Sequence, residues 1–151
     1  MDIKRILVPV DFSQGSLNAL TWARDLARQF DAELLLLHVI APIDFMTVSD
    51  VYDEQRRSGD AALARIGADL RVAGQRFRIM VKGGVPSRVI VDTAKRSGAD
   101  MIVLGTHGRT GLTHMLIGSV TEKIVRTAGC PVLAVRQAVR KKRPPKRKTR
   151  R

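Results

Sequence analysis

The apolar and polar residues of this chain alternate between short β-rich runs and helical stretches, which is typical of a parallel sheet joined by crossover helices. Two runs, Ile6-Leu7-Val8 and Leu34–Leu37, are continuously apolar, as expected of strands covered on both faces. A third run, residues 76–82, includes charged residues and is predicted to lie at a sheet edge. The predicted strands are Arg5–Val10, Ala32–Ile40, Phe77–Lys82, Met101–Gly105 and Val132–Arg136.

Apolar residues at three- and four-residue spacing predict helices between these strands. One such stripe follows the first strand and contains Leu20, Ala23, Ala27 and Phe30. Trp22 stands beside that stripe and is expected to pack against the rest of the protein. A weaker helical pattern runs over residues 52–73 and is interrupted by Gly59 and Gly67.

Capping signals predict two more helices. Ser87 is expected to cap a helix that ends at Gly98. Ser119 opens another with the spacing of a capping box to Glu122, and that helix is expected to stop at Gly129.

The connection formed by residues 106–117 is longer than its neighbours. It joins a strand to a helix, where about 2 to 6 residues are usual, and long loops in compact domains are usually functional. In a doubly wound sheet, ligands bind beyond the carboxyl ends of the strands, where crossovers leave to opposite faces. Asp11, after the first strand, lies on the same rim. It either caps the following helix or contacts a ligand, and its position favours the ligand.

The sequence from Gly105 to Ser119 is rich in glycine. Glycines let backbone N–H groups approach an anion, and a helix N-terminus adds unpaired donors. Arg109 adds a positive charge, and the Ser119 hydroxyl can donate to a phosphate oxygen or coordinate a metal. The alternative is that the glycines form turns and Ser119 caps its helix. A hydroxyl that donates to phosphate still has lone pairs, so both alternatives remain open for Ser119.

Competing nucleotide and metal motifs are absent from the sequence. There is no Gly-Lys dipeptide, hence no Walker A loop, and no G-x-G-x-x-G follows the first strand. His107 and His114 lie on the glycine loop without a third nitrogen or sulfur ligand at suitable spacing. We therefore predict no structural zinc site and assign no side chain as the ligand of a resident metal ion.

The run Gly105-x2-Gly108-x9-Gly118-Ser119 resembles the phosphate-loop pattern of ATP-binding universal stress proteins. The resemblance extends from about Ile3 to Arg136. Other segments that carry it, in the family's order, are Ile6–Ser13, Leu37–Val39, Gly84-x-Pro86, Asp100–Gly105 and Cys130–Arg136. It implies an α/β fold with a five-stranded parallel sheet of order 3-2-1-4-5 and helices on both faces, similar to a Rossmann domain and to the adenine nucleotide alpha hydrolases.

The resemblance also implies a binding site for ATP with Mg²⁺. Pro9, Val10 and Asp11 would contact the ribose and adenine. The Val39 backbone would meet the adenine edge, and Gly105 would lie against the ribose. The residues implied to hold the phosphates and the divalent ion are Gly108, Arg109, Gly118, Ser119 and Val120. Family members typically dimerise through the last strand, so Val132–Val135 is expected to pair with a second copy.

Composition and charge divide the chain into residues 1–137, a nucleotide-binding domain, and 138–151, a basic tail. Of the formal net charge of +13, the ten basic residues of 136–151 supply +10, which leaves +3 for the rest. Such a tail is expected to be disordered. Its segment Arg140–Arg151 is expected to bind nucleic acid or another polyanion, or else an anionic membrane surface, or to have no dedicated partner. Because no aromatic residues lie among the charged ones, binding to nucleic acid would be independent of base sequence and would weaken with salt.

Cysteine content and hydropathy give an indication of the cellular compartment. Cys130 is the single cysteine and is expected to be a small buried apolar group rather than a nucleophile. An intramolecular disulfide is therefore not possible, which favours a reducing compartment. The N-terminus lacks the apolar region of a signal peptide, and the longest apolar stretch is far below the roughly 20 residues of a membrane span. We expect a cytoplasmic protein.

The first functional hypothesis is a regulatory module of the stress response that responds to ATP. The alternatives are a slow ATPase or adenylyl-transferring enzyme of the same architecture, and a nucleic-acid-associated protein that binds through its tail. Efficient hydrolysis needs a group that positions or deprotonates water. Asp11 is the acidic candidate near the site, but the resemblance places it at the sugar. We therefore assign no catalytic residue.

Overall fold

A parallel sheet of five strands lies at the centre of the chain in the computed structural model, which describes residues 2–42, 49–106 and 117–136. The strands are β1 (Arg5–Pro9), β2 (Glu33–Ile40), β3 (Phe77–Gly83), β4 (Met101–Gly105) and β5 (Val132–Val135). Their order is β3-β2-β1-β4-β5, and all neighbours are parallel. The expected sheet order and the edge position of β3 are both confirmed.

Helices cover both faces of this sheet. Within the described ranges they are α1 (Gln14–Phe30), α2 (Ser49–Val72), α3 (Pro86–Ser97) and α4 (Ser119–Thr127). Helices α1 and α2 pack on one face, and α3 and α4 on the other. The crossovers that leave the adjacent strands β1 and β4 therefore go to opposite faces, which makes the ends of these strands the switch point of the fold.

The apolar runs divide their side chains between the two faces, because successive residues of a strand point in opposite directions. Ile6 and Val8 belong to the core under α1 and α2, whereas Leu7 belongs to the core under α3 and α4. Leu34 and Leu36 alternate with Leu35 and Leu37 in the same way. All of these side chains are fully buried. The prediction of strands covered on both faces is confirmed.

The two glycines interrupt the apolar pattern of α2 but not the helix itself. The helix is continuous from Ser49 to Val72. A Cβ atom on Gly59 would lie 2.7 Å from His38 Cδ2, and one on Gly67 would lie 2.7 Å from Phe77 Cε2. Glycine weakens a helix interior by about 1 kcal/mol relative to alanine. Here its small size allows the helix to approach the sheet closely.

Three local predictions are corrected by the fold. Pro86 is the first residue of α3 and Val85 its N-cap, so Ser87 does not cap that helix. Gly118 is the N-cap of α4, which places Ser119 in the first helical turn rather than at the cap. Trp22 is 58% exposed and therefore is not a packed core residue.

Among the described helices, none is long and apolar enough to cross a membrane.

Candidate functional site

A cleft of about 820 Å³ opens at the carboxyl ends of β1, β2 and β4. Its walls are the residues that follow β1, the end of β2, one side of α2, the start of α3, the end of β4 and the first turn of α4. The cleft thus lies at the switch point of the sheet, where ligands of doubly wound folds bind. Its volume is within the range of about 300–1,000 Å³ found for small-molecule sites.

Most of the ten residues predicted from the sequence lie at this cleft. Six of them line it: Pro9, Val10, Asp11, Val39, Gly105 and Val120. Gly118 and Ser119 directly precede Val120 at the start of α4. Gly108 and Arg109 lie outside the described residues, as do His107, His114 and the tail.

The turn after β1 brings Asp11 to the cleft and also starts α1. The Val10 N–H donates to the Leu37 carbonyl (2.8 Å), which continues the pairing of β1 with β2. The Ser13 N–H then donates to Asp11 Oδ1 (3.0 Å), and Ser13 Oγ accepts from the Ser16 N–H (3.2 Å). Ser13 is therefore the N-cap of α1. Asp11 orients the capping residue and does not cap the helix itself.

Phe12 and His38 complete the wall beside Asp11. Phe12 has a positive φ of 65°, an uncommon conformation for a bulky residue. Its ring lies 4.7 Å from the His38 ring, centroid to centroid. His38 is buried and its Nδ1 lies 2.7 Å from the Val10 carbonyl oxygen, so it is a satisfied core residue. That it also lines the cleft was not predicted.

The backbone of Val39 faces the cleft. Backbone groups of successive residues in a strand point alternately to its two neighbours. The Ile40 carbonyl accepts from the Gly84 N–H on the β3 side (3.0 Å), whereas the Leu37 carbonyl accepts from the Val10 N–H on the β1 side (2.8 Å). Val39 therefore directs its N–H and C=O towards β1, beyond the point where β1 ends. One donor and one acceptor are thus presented to a ligand.

The two ends of the long connection after β4 are hydrogen-bonded to each other. The Thr106 N–H donates to the Val135 carbonyl (3.0 Å), and the Gly118 N–H donates to the Thr106 carbonyl (2.7 Å). Thr121 Oγ1 donates to the Gly105 carbonyl (2.9 Å), and this buried hydroxyl lines the cleft. These bonds hold the start of α4 against the end of β4.

The first turn of α4 presents backbone donors beside the cleft. The first hydrogen bond of the helix runs from the Glu122 N–H to the Gly118 carbonyl (2.9 Å). The N–H groups of Ser119, Val120 and Thr121 precede that bond and have no partner within the helix. The helix dipole adds a partial positive charge there. This end of the cleft is suited to an anionic group.

Helix α2 forms a wall that sequence reasoning missed. Gln55, Ser58, Gly59 and Ala62 line the cleft, and their spacing of three and four residues places them on one side of the helix. Their small or polar character within a helical pattern was the available signal. It did not identify the site, because a solvent-exposed face of a helix has the same composition.

Cys130 lies apart from the residues that line this cleft. It is half-buried and packs against the core under α3 and α4. Burial, together with the negative charge of Asp100, raises the pKa of its thiol above the ordinary cysteine value. A raised pKa reduces the thiolate fraction, which agrees with the expectation of a packing residue rather than a nucleophile.

Comparison with known proteins identifies the family. The model of the universal stress protein family matches residues 2–136. This chain belongs to the universal stress protein family. The universal stress protein MJ0531 of Methanocaldococcus jannaschii is 34% identical over 143 residues, covering 89% of this chain and 82% of its own length. The universal stress protein YxiE of Bacillus subtilis is 30% identical over 145 residues, covering 87% and 98%.

Solved structures of universal stress proteins share the fold. That of MJ0577 from Methanocaldococcus jannaschii superposes with a TM-score of 0.85 at 29% identity, covering 92% of this chain and 99% of that one. A universal stress protein in complex with cAMP has a TM-score of 0.71 at 24% identity, covering 89% and 98%. An Arabidopsis thaliana family protein with AMP bound has a TM-score of 0.65 at 22% identity, covering 90% and 93%.

Proposed function

We propose that this universal stress protein is a regulatory module of the stress response that binds ATP with Mg²⁺ in the cleft at the carboxyl edge of its sheet. The observation that carries the proposal is the convergence of Pro9, Val10, Asp11, Val39, Gly105 and Val120 on one cleft of about 820 Å³. These residues come from four separate parts of the sequence. The AMP and cAMP held by structurally similar family members support an adenine nucleotide as the ligand.

The chemistry along the cleft suits the two ends of a nucleotide. The donor and acceptor of the Val39 backbone match the hydrogen-bonding edge of a base. The Asp11 carboxylate can accept from ribose hydroxyls but would repel phosphate. The N-terminus of α4, with Gly118 and Ser119, suits the phosphates. In this proposal Gly108 and Arg109 would complete the phosphate site, and the Ser119 hydroxyl would donate to a phosphate oxygen or coordinate Mg²⁺.

Substitution of Gly118 by valine tests the phosphate end. The Gly118 backbone (φ −70°, ψ 153°) is extended, so valine is compatible with its conformation. We expect Gly118→Val to lower the affinity for ATP·Mg²⁺ at least tenfold in calorimetric titration, because its side chain would enter the phosphate site. Gly129→Val is the matched control, since a Cβ there meets open space. Equal affinity of the wild type and Gly118→Val would end the proposal.

An enzymatic role is the alternative, and release of inorganic phosphate distinguishes it. Regulation requires that bound ATP persist and order the residues around it. Turnover above about 1 per second would indicate an ordinary ATPase instead. The proposed position of Asp11 at the sugar argues against its acting on an attacking water, and Glu54 is the other acidic residue among those that line the cleft. We expect slow hydrolysis at most.

We further propose a homodimer formed through β5. Val132–Val135 is the last strand of the described sheet and pairs only with β4 among the described strands. A second β5 could add to its free edge by backbone hydrogen bonds. Sedimentation at micromolar concentration tests this, since a monomer at that concentration would contradict it.

We propose the cytoplasm as the compartment of this protein.

The charge of the chain supports a second binding function. We propose that residues 1–137 form the nucleotide-binding domain and that 138–151 form a tail that binds nucleic acid. Nine basic residues and no acidic ones lie in 138–151. Such a segment neutralises phosphates without reading bases.

A further inference from the structure

His38 contacts the residues on both sides of Asp11. Its Nδ1 lies 2.7 Å from the Val10 carbonyl oxygen, and its ring centroid lies 4.7 Å from that of Phe12. A carbonyl oxygen only accepts, so Nδ1 carries the proton and donates. One side chain of β2 thus holds the residue before Asp11 and the residue after it.

The His38 ring is itself held in place. Its side chain is buried, with 9% of the residue exposed. On the α2 side, a Cβ atom on Gly59 would lie 2.7 Å from its Cδ2 and 3.4 Å from its Nε2. The ring therefore fills the space between the turn after β1 and the backbone of α2. Movement of the ring towards either element would require that element to move.

The turn that His38 contacts is strained. Phe12 adopts φ 65°, and a bulky non-glycine residue keeps such a conformation only where its surroundings enforce it. Ser13, the next residue, is bonded to Asp11 through its N–H (3.0 Å). The orientation of Asp11 towards the cleft is thus coupled to the contacts that keep Phe12 in this conformation.

We propose that His38 is a positioning residue for ligand binding. Its Nδ1–H bond to Val10 and its ring contact with Phe12 hold the turn so that Asp11 meets the ligand in a fixed orientation. This inference rests on the proposed binding of an adenine nucleotide. His38 acts through Asp11 and need not touch the ligand.

Two substitutions separate positioning from packing. Asparagine places an N–H donor near the site of Nδ1 but removes most of the ring, whereas leucine fills the volume and has no donor. We expect His38→Asn to be less stable than His38→Leu in urea unfolding, because it leaves a cavity. We expect the reverse order for ATP·Mg²⁺ affinity, with His38→Asn within about threefold of the wild type and His38→Leu weakened about 3- to 10-fold.

A cycle with Asp11→Asn tests whether His38 acts through Asp11. If it does, His38→Leu should weaken ATP·Mg²⁺ binding much less in the Asp11→Asn protein than in the wild type, because the positioned group is already altered. Additive losses would overturn the inference, and so would an affinity order that follows the stability order. Absence of binding by the wild-type protein would overturn the proposed function and the inference with it, whereas the first two results would leave the proposed function standing.

Discussion

Gly105, the last residue of β4, lies against the backbone of Gly15 in the first turn of α1. A Cβ atom on Gly105 would lie 2.7 Å from the Gly15 carbonyl carbon and 2.8 Å from its oxygen. Because these are backbone atoms, they cannot move aside as the end of a side chain can. The close packing of β4 against α1 therefore requires glycine at this position, the first glycine of the predicted phosphate loop, in addition to its place at the cleft.

Replacing Gly105 by alanine is expected to destabilise the protein. Over-packing against well-ordered atoms typically costs about 1–3 kcal/mol, and we expect a loss of that order in the free energy of unfolding measured in urea. Gly129→Ala is the control, since a Cβ there meets open space, and it should change stability by less than about 0.5 kcal/mol. Equal stability of the two variants would show that β4 and α1 can separate without cost.

The glycines of α2 should reverse the usual preference for alanine in a helix. Alanine is normally favoured by up to about 1 kcal/mol, but a Cβ at Gly59 or Gly67 would meet a ring atom at 2.7 Å. We expect Gly59→Ala and Gly67→Ala each to lower the free energy of unfolding by about 1–2 kcal/mol in urea.

The same two variants differ in what they touch. Gly59→Ala displaces His38 and the wall of the cleft, whereas Gly67→Ala displaces Phe77, which is not among the lining residues. We therefore expect nucleotide affinity to fall in Gly59→Ala and to stay within about twofold in Gly67→Ala. An equal loss of affinity in the two variants would indicate that it results from lower stability of the whole protein and not from a change in the cleft.

Thr121 is expected to matter for both stability and binding. Its buried hydroxyl donates to the Gly105 carbonyl at 2.9 Å. Thr121→Val removes that bond with little change of shape, which should cost about 0.5–1.5 kcal/mol in urea unfolding and weaken ATP·Mg²⁺ binding. The matched control is Thr127→Val on the same helix, where the exposed hydroxyl bonds to the Lys123 carbonyl. A larger effect at Thr127 would contradict the argument.

Cys130 should react slowly with iodoacetamide in the folded protein. Burial and the charge of Asp100 raise the pKa of the thiol, so the midpoint of the rate against pH should lie above the ordinary cysteine value of about 8.5. Asp100→Asn should lower the midpoint only in part, since burial is the larger cause. Because the folded state favours the neutral thiol, the free energy of unfolding should fall as pH rises through the raised pKa. A midpoint equal to that of the denatured chain would refute this.

Deletion of residues 139–151 should separate the two proposed functions. The truncated protein should lose retention on immobilised DNA in low salt while its affinity for ATP·Mg²⁺ stays unchanged. For the full chain, the logarithm of the DNA-binding constant should fall linearly with the logarithm of salt concentration. Retention of the truncated protein would place the polyanion-binding surface on the domain.

Local patterns determined the elements of this protein. Each predicted strand agrees with the structure within one residue at either end, because continuous apolar runs and turn residues are local signals. The order of the sheet came from the resemblance to a family, not from these patterns. The choice of cap was less secure, since Gly118 and Ser119 are both acceptable caps, and only the extended backbone of Gly118 (φ −70°, ψ 153°) shows that the helix begins after it.

Only the tertiary structure decided which distant residues meet. The contact of Gly105 with Gly15, the place of His38 between Val10 and Gly59, and the wall that α2 contributes all join residues far apart in sequence. A sequence specifies the character of each side chain, but the space available to it depends on how helices and strands pack. That is why the residues at the ends of β1, β2 and β4 that line the cleft could be named in advance, and the residues that hold them could not.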